Sequence, residues 1–221
     1  MARQRPPERI RVRRAPHKGR YDRATIDAFL DRGLVAHVAF VDGDQPCCIP
    51  MLYARVDDRI LVHGSTASRT MKVLAAGAPA CLTVTTVQGL VLARSAFEHS
   101  ANYESVVAFG RFEVVEGAAE RLAAFEAFTE KLLPGRWDEV RQPSRKELKA
   151  TMILALAIDE ASAKVRTGPP NDDDSEDAAL DTWAGVVPFV TTLGDPEPSP
   201  GLRPRIAPGP SIRRLLEKGD S

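Results

Sequence analysis

Two very short interruptions in the apolar pattern do most to limit what this chain can become. Segments 34–41, 47–56 and 59–63 are rich in β-branched and aromatic residues and are separated only by the five residues 42–46, punctuated by Asp42-Gly43-Asp44, and by Asp57-Asp58. Links of two to five residues join neighbouring strands only as antiparallel hairpins, because a parallel crossover needs a dozen residues or more. A strand pair at 80–87 and 90–95 around Gln88-Gly89, a strand at 105–115 and an apolar run at 152–158 extend the pattern. Helical signals are fewer. Asp22 is a plausible N-cap, with Ile26, Phe29 and Leu30 on one face and Gly33 where a left-handed C-terminal residue belongs. A second helix at 66–76 is closed by Gly77 and Pro79, and a third at 118–133 carries Leu122, Phe125, Phe128 and Leu132 on one stripe. The expected fold class is mainly β (α+β), a small antiparallel β-barrel with peripheral helices.

Charge divides the chain into parts. Thirty basic and thirty acidic groups balance over 221 residues. Residues 1–20 hold eight basic groups against Glu8, a net of +7, and 203–221 a net of +3, which leaves −10 for 21–202. An acidic body without interleaved aromatic and basic residues argues against nucleic acid. Residues 1–20 read as a basic disordered tail or an arm, 21–194 as one domain, and 195–221 as a basic C-terminal tail punctuated by Pro196, Pro198, Pro200, Pro204, Pro208 and Pro210. No apolar run approaches the ~20 residues of a membrane helix, and the arginine-rich start lacks the apolar core of a secretory signal. Cys47, Cys48 and Cys81 offer no disulfide framework. A cytoplasmic protein is expected. Asp172, Asp173, Asp174, Glu176 and Asp177 read as a solvated loop.

Several chemistries lose their basis. There is no phosphate loop, strand-linked GxGxxG, GxSxG elbow, HExxH or CxxC pair, and His17, His37, His63 and His99 lie too far apart in sequence for a local metal site. The informative stretch runs from His63 to Lys72. Its glycine, its hydroxyls at Ser65, Thr66 and Ser68, and its cations Arg69 and Lys72 at the start of a helix are the parts that hold a phosphate. Cations in a first helical turn are disfavoured unless an anion is present. The same residues also describe an ordinary capped helix with two solvent-facing basic groups. A polar and aromatic connection at 96–103 and a segment around Trp183 and Gly185 form two further clusters; composition alone favours a long hairpin loop for the first and a tryptophan anchoring the C-terminal segment for the second.

At these clusters the chain resembles the pyridoxamine 5′-phosphate oxidase-like FMN-binding split-barrel family, in the branch related to nitroimidazole-resistance proteins. RGLVAHVAF, QPCCIPMLYAR, LVHGSTASRTMK, GLVLARSAFEHSANYESVVAFGRFEVV, PGRWDEVR, KELKAT, AKVRTGPP and WAGVVP carry the resemblance, in that order. It implies a six-stranded split barrel that forms a homodimer with flavins in the clefts between subunits. It places Ile49, Pro50 and Met51 beside the flavin ring and assigns His63, Gly64, Ser65, Ser68, Arg69 and Lys72 to the phosphate end. Thr85, Thr86, Ser100, Asn102, Tyr103, Trp183 and Gly185 are its remaining contacts, with His63 and then Tyr103 as candidate acid–base residues. Glu98 and Glu104 depart from the family pattern and disfavour an anionic substrate. The implied activity is FMN-dependent oxidoreduction of a small molecule, with nitro compounds among the candidates. A deazaflavin coenzyme in place of FMN is one alternative. A non-enzymatic flavin- or haem-binding barrel, with His63 or His99 as axial ligand, is the other.

Overall fold

The computed structural model describes residues 6–219, so the first five residues of the expected N-terminal tail and the last two of the C-terminal one lie outside the described residues. Chain order is β1 (Gly19–Arg20), α1 (Arg23–Arg32), β2 (Val35–Asp42), β3 (Gln45–Val56), β4 (Arg59–Ser65), α2 (Arg69–Ala75), β5 (Pro79–Leu92), β6 (Ser100–Arg111) and β7 (Glu113–Val114). Then follow α3 (Ala118–Leu132), α4 (Arg145–Ala150), β8 (Thr151–Ala157), β9 (Glu160–Arg166), β10 (Gly185–Pro188) and α5 (Pro210–Gly219). All pairings are antiparallel, in the order β1-β9-β6-β5-β2-β3-β4-β8-β7, with β10 added along the far half of β5. The sheet curls until β6 meets β8, where a side chain at Gly110 would lie 2.7 Å from Leu156 Cδ1. The result is the expected split barrel, built from ten strands among the described residues where six were expected.

Alternation along the strands fills two cores. Val38, Leu82, Val106, Ile60, Val62, Leu154 and Leu156 point into the barrel, where Leu30 of α1 and Met71 and Leu74 of α2 close its ends. Leu61, Ile153 and Ala155 point outward beneath Ala124 and Phe128 of α3. Because β8 is buried on both faces it reads in sequence as an unbroken apolar run. Tyr53 is buried in the first core and donates its hydroxyl to Leu30 O. Burial and the nearby Asp31 raise its pKa.

The structure corrects several local expectations. Gln88-Gly89 is not a turn: β5 runs through it with a register shift between Val87 and Gly89, and its partner β6 returns only after a loop at 93–99. Gly89 is there because β10 passes so close that a Cβ would meet Val187 O at 2.7 Å. Gly33 is extended, with φ −70°, and not left-handed. The acidic stretch is not wholly solvated. Asp172 is fully buried and accepts hydrogen bonds from the Arg94 backbone N–H (2.6 Å) and Nη1 (3.0 Å). Leu132, expected on the buried stripe of the third helix, is 55% exposed.

Residues 6–20 lie along the body. Ile10 is buried, Arg9 pairs with Glu160 at 2.7 Å and sits over the Phe109 ring, and β1 joins the edge of β9. The C-terminal α5 is held at its start by Glu139, which accepts from Ser211 N and Oγ, both at 2.7 Å. The three cysteines are free. No helix among the described residues is long and apolar enough to cross a membrane.

Candidate functional site

His63 owes its position to strand alternation. Ile60 and Val62 face the barrel interior, so Leu61 and His63 face α3, and the imidazole meets the Phe128 ring at 4.4 Å with a 57° tilt. The ring is half-buried, and its Nδ1 is buried with no hydrogen-bond partner. Burial holds its pKa below the ordinary value, so the imidazole is neutral near pH 7. Gly64 is required by α2, since a Cβ there would sit 2.8 Å from Met71 Cγ.

The hydroxyls that follow are committed to the turn. Ser65 Oγ accepts from Ala67 N at 3.1 Å and Ser68 Oγ caps Met71 N at 3.5 Å. Thr66 donates to Ala150 O through both its N–H (2.9 Å) and its hydroxyl (3.3 Å). Arg69 pairs with Asp42 at the end of β2, and Lys72 is exposed. The anion that two cations at this helix start call for is therefore supplied, for Arg69, by the chain itself.

Ile49, Pro50 and Met51 lie on β3 opposite Val38, His37 and Ala36. Ile49 and Met51 take the barrel side, Ile49 remaining 37% exposed, whereas Pro50 shares the outer face with His37. Thr85 and Thr86 are exposed on β5 opposite Ser105 and Glu104.

A second group gathers where β6, β5 and β10 run together. Ser100, Asn102 and Tyr103 pair with Val91, Gly89 and Val87, and Gly185 pairs with Leu92. Trp183, 65% exposed, folds over Gly185, where a Cβ would lie 2.9 Å from Cζ2. Asn102 is buried, and its amide is engaged at both ends: Oδ1 accepts from Arg166 Nη1 at 2.6 Å and Nδ2 donates to Gly168 O at 3.2 Å. Glu104 is neutralised by Arg32, whose Nη2 approaches to 2.6 Å. Two strands, β2 and β3, separate this group from the one around His63. Along the sheet the two groups therefore stand apart.

His99, in the loop before β6, has its Nδ1 2.9 Å from Ser95 O. The Ala93 N–H also points at Nδ1, from 3.4 Å; in the tautomer that makes the shorter contact Nδ1 donates to the Ser95 carbonyl and Nε2 carries the free lone pair. Among the described residues no three His, Cys, Asp or Glu side chains are arranged to hold a metal ion by themselves. Sequence reasoning missed Arg166, although it stands inside the quoted motif AKVRTGPP; with Glu160 and Lys164 on the same strand, no local signal set this arginine apart.

Comparison with known proteins adds the following. A family model described as pyridoxamine 5′-phosphate oxidase matches residues 22–165. The flavocytochrome Anf3 of Azotobacter vinelandii is 39% identical, with 95% of this chain and 97% of that one covered and a TM-score of 0.88. A FAD- and haem-binding protein of Mycobacterium smegmatis is 42% identical over 90% of this chain and 97% of that one, with a TM-score of 0.85. A candidate 5-nitroimidazole antibiotic resistance protein of Bacteroides thetaiotaomicron, 18% identical, covers 66% of this chain and 86% of its own at a TM-score of 0.57, a likeness of fold. No curated protein matches the chain.

Proposed function

This chain belongs to the pyridoxamine 5′-phosphate oxidase family, and from that premise we propose that it binds a flavin together with haem and moves electrons between a small-molecule redox partner and the haem. The observation that carries the haem half is His99. Its Nδ1–H is anchored on the Ser95 carbonyl and its Nε2 is left open, which is the arrangement that fixes a metal-ligating imidazole in tautomer and direction. His63 is the second unspent imidazole, neutral and without a partner for Nδ1. The two relatives at 39% and 42% identity, one a flavocytochrome and the other a FAD- and haem-binding protein, support the pairing, and the second favours FAD over FMN.

When bound, the flavin supplies hydride or single-electron transfer and the haem a one-electron iron centre. The protein's part is to bind, orient and exclude water. Ile49, Met51, Thr85, Thr86 and Trp183 offer an exposed or half-buried border to a flat ring, and Lys72 a free cation for a phosphate. His63, neutral at pH 7, offers an imidazole that can accept a proton.

A second copy completes this reading. Val35, Val41, Leu52 and Val87 are 40 to 54% exposed on the outer sheet face, where Val35 and Leu52 stand directly opposite each other. A shared apolar face of this kind suits a homodimer whose cleft unites the two separated groups.

The absorption spectrum of freshly purified protein tests the function. Flavin bands with a Soret band are expected, and His99→Ala removes the Soret band while sparing the flavin. Flavin alone returns the protein to a small-molecule oxidoreductase without haem. A colourless protein that takes up neither group refutes both readings.

A further inference from the structure

The N-terminal arm and the end of β9 enclose a cleft of about 220 Å³ bordered by His17, Lys18, Arg20, Arg166, Thr167 and Asn171. Arg166 is only 5% exposed. Its guanidinium donates to Asn102 Oδ1 (2.6 Å), Gly168 O (3.2 Å) and Pro169 O (3.1 Å), all neutral acceptors. Among the described residues no carboxylate lies within salt-bridge distance of it. Arg20, on the rim, donates to the carbonyls of His17 and Gly19 and makes no salt bridge, although its charge reaches Asp22. Lys18 is half-buried, and no acceptor among the described residues is hydrogen-bonded to its ammonium. Burial lowers the Lys18 pKa, and repulsion by Arg166 and Lys164 lowers it further, with Glu98 acting the other way.

The pairing of Gly19 with Lys164 is what carries Lys18 and Arg20 to this edge, so the cluster is made by the fold and not by sequence proximity. Several other arginines find carboxylates, as Arg9 does in Glu160, Arg32 in Glu104 and Arg55 in Asp31, whereas Arg111, Arg121 and Arg213 are held by backbone carbonyls. A body whose net charge is negative has acids to spare, yet among the described residues the three cations that converge here make no salt bridge, with Glu98 and Asp22 acting on Lys18 and Arg20 only from a distance. Burying a cation costs heavily unless an opposite charge meets it, and a guanidinium beside an ammonium is the donor set that matches a phosphate.

We propose that this cleft is a phosphate-binding site, in which Lys18 and Arg166 grip the phosphate group of a phosphorylated small molecule and Arg20 guards the mouth. It lies at the β9 edge of the sheet, away from Arg69 and Lys72 beyond β4, and so is a site separate from the one expected at α2. The phosphate can come from a dinucleotide cofactor or from an independent phosphorylated ligand.

Inorganic phosphate is the probe, titrated into the as-purified full chain against chloride at equal ionic strength and followed by ³¹P line broadening and thermal shift. Saturable binding is expected. Lys18→Glu, which places a carboxylate beside Arg166, should weaken it by at least roughly tenfold, the loss of one charge-assisted contact, while raising the melting temperature. Lys18→Ala with Arg20→Ala should weaken binding without that rise, and neither change touches the core. Release of flavin by phosphate, or loss of flavin from Lys18→Glu, identifies the phosphate as the cofactor's. Phosphate binding with flavin unaffected identifies a separate ligand. If Lys18→Glu alters neither phosphate binding nor flavin retention, the site is refuted, and the flavin reading stands or falls on its spectrum.

Discussion

Replacing Gly33 by alanine separates two explanations for a glycine at the end of α1. A left-handed cap would require glycine for its backbone, but Gly33 has φ −70°, which any residue adopts, and its N–H bonds normally to Phe29 O at 3.2 Å. Space is the constraint. A Cβ would lie 2.3 Å from Val84 Cγ1 and 2.7 Å from the Tyr53 hydroxyl, both of them buried. At such a backbone, Gly→Ala alone stabilises by about 0.4–1 kcal/mol through the unfolded chain. Forcing a methyl into a filled core costs ~1–3 kcal/mol. Pushing the Tyr53 hydroxyl off Leu30 O leaves buried polar groups unpaired, at roughly 1–3 kcal/mol more. The net expectation is a loss of about 2–4 kcal/mol in urea unfolding. Gly33→Asn, harmless at a left-handed cap, should be worse than alanine. In a Val84→Ala background the nearer obstacle is gone, and a double-mutant cycle should return at least ~1 kcal/mol of coupling. An alanine variant as stable as the parent protein refutes the close-approach argument.

Three further outcomes follow from the same geometry. His63 is held below its ordinary pKa, so the unfolded chain binds the extra proton first and stability falls as pH drops below about 6.5; His63→Leu should flatten this part of a melting-temperature profile. Glu147 is held at about 2 by Arg141 and by the backbone N–H and side chain of Ser144. Its contribution is complete above its unfolded value of 4.5 and disappears as pH falls through that range toward 2, so parent and Glu147→Gln should melt alike at the acid end and diverge above it. Asp172→Ala strips the buried carboxylate from Arg94 and its N–H, a loss of about 2–4 kcal/mol after allowing for the exposed Asp173 that Arg94 also holds, read by denaturant unfolding.

The architecture was legible wherever periodicity and short links coincided. Asp42-Gly43-Asp44 and Asp57-Asp58 are turns in the structure, and β8 shows the apolar run that two-sided burial produces. Glycine misled twice, at Gly33 and Gly89, for one reason. Sequence presents a glycine as conformational freedom, whereas at both positions it serves as absent volume, and the neighbours that need the volume, Val84 and Val187, are distant in sequence. The strand β9, the buried Asp172 and the docked α5 were illegible for a related cause: each is stabilised by a partner far along the chain, Arg94 for Asp172 and Glu139 for Ser211.

The site residues show the same division between local and distant causes. The His63 to Lys72 stretch could be read because helix start, hydroxyls and cations are contiguous, yet Asp42, 27 residues before Arg69, changes its electrostatics. Asn102 was legible as a polar residue beside a cleft, but not as the neutral partner of a buried Arg166 64 residues away. Charge counting alone points the same way. A net of +7 over residues 1–20 looked like a tail's surplus, but within the folded arm only part of it is neutralised, Arg9 by Glu160 and Arg11 and Arg13 by Glu8, while Lys18 and Arg20 arrive beside Arg166 without a salt bridge. What decides whether a basic residue is solvated, structural or ligand-binding is therefore which opposite charge the fold leaves within reach. That is fixed by the pairing of β1 with β9 and appears nowhere in the local sequence.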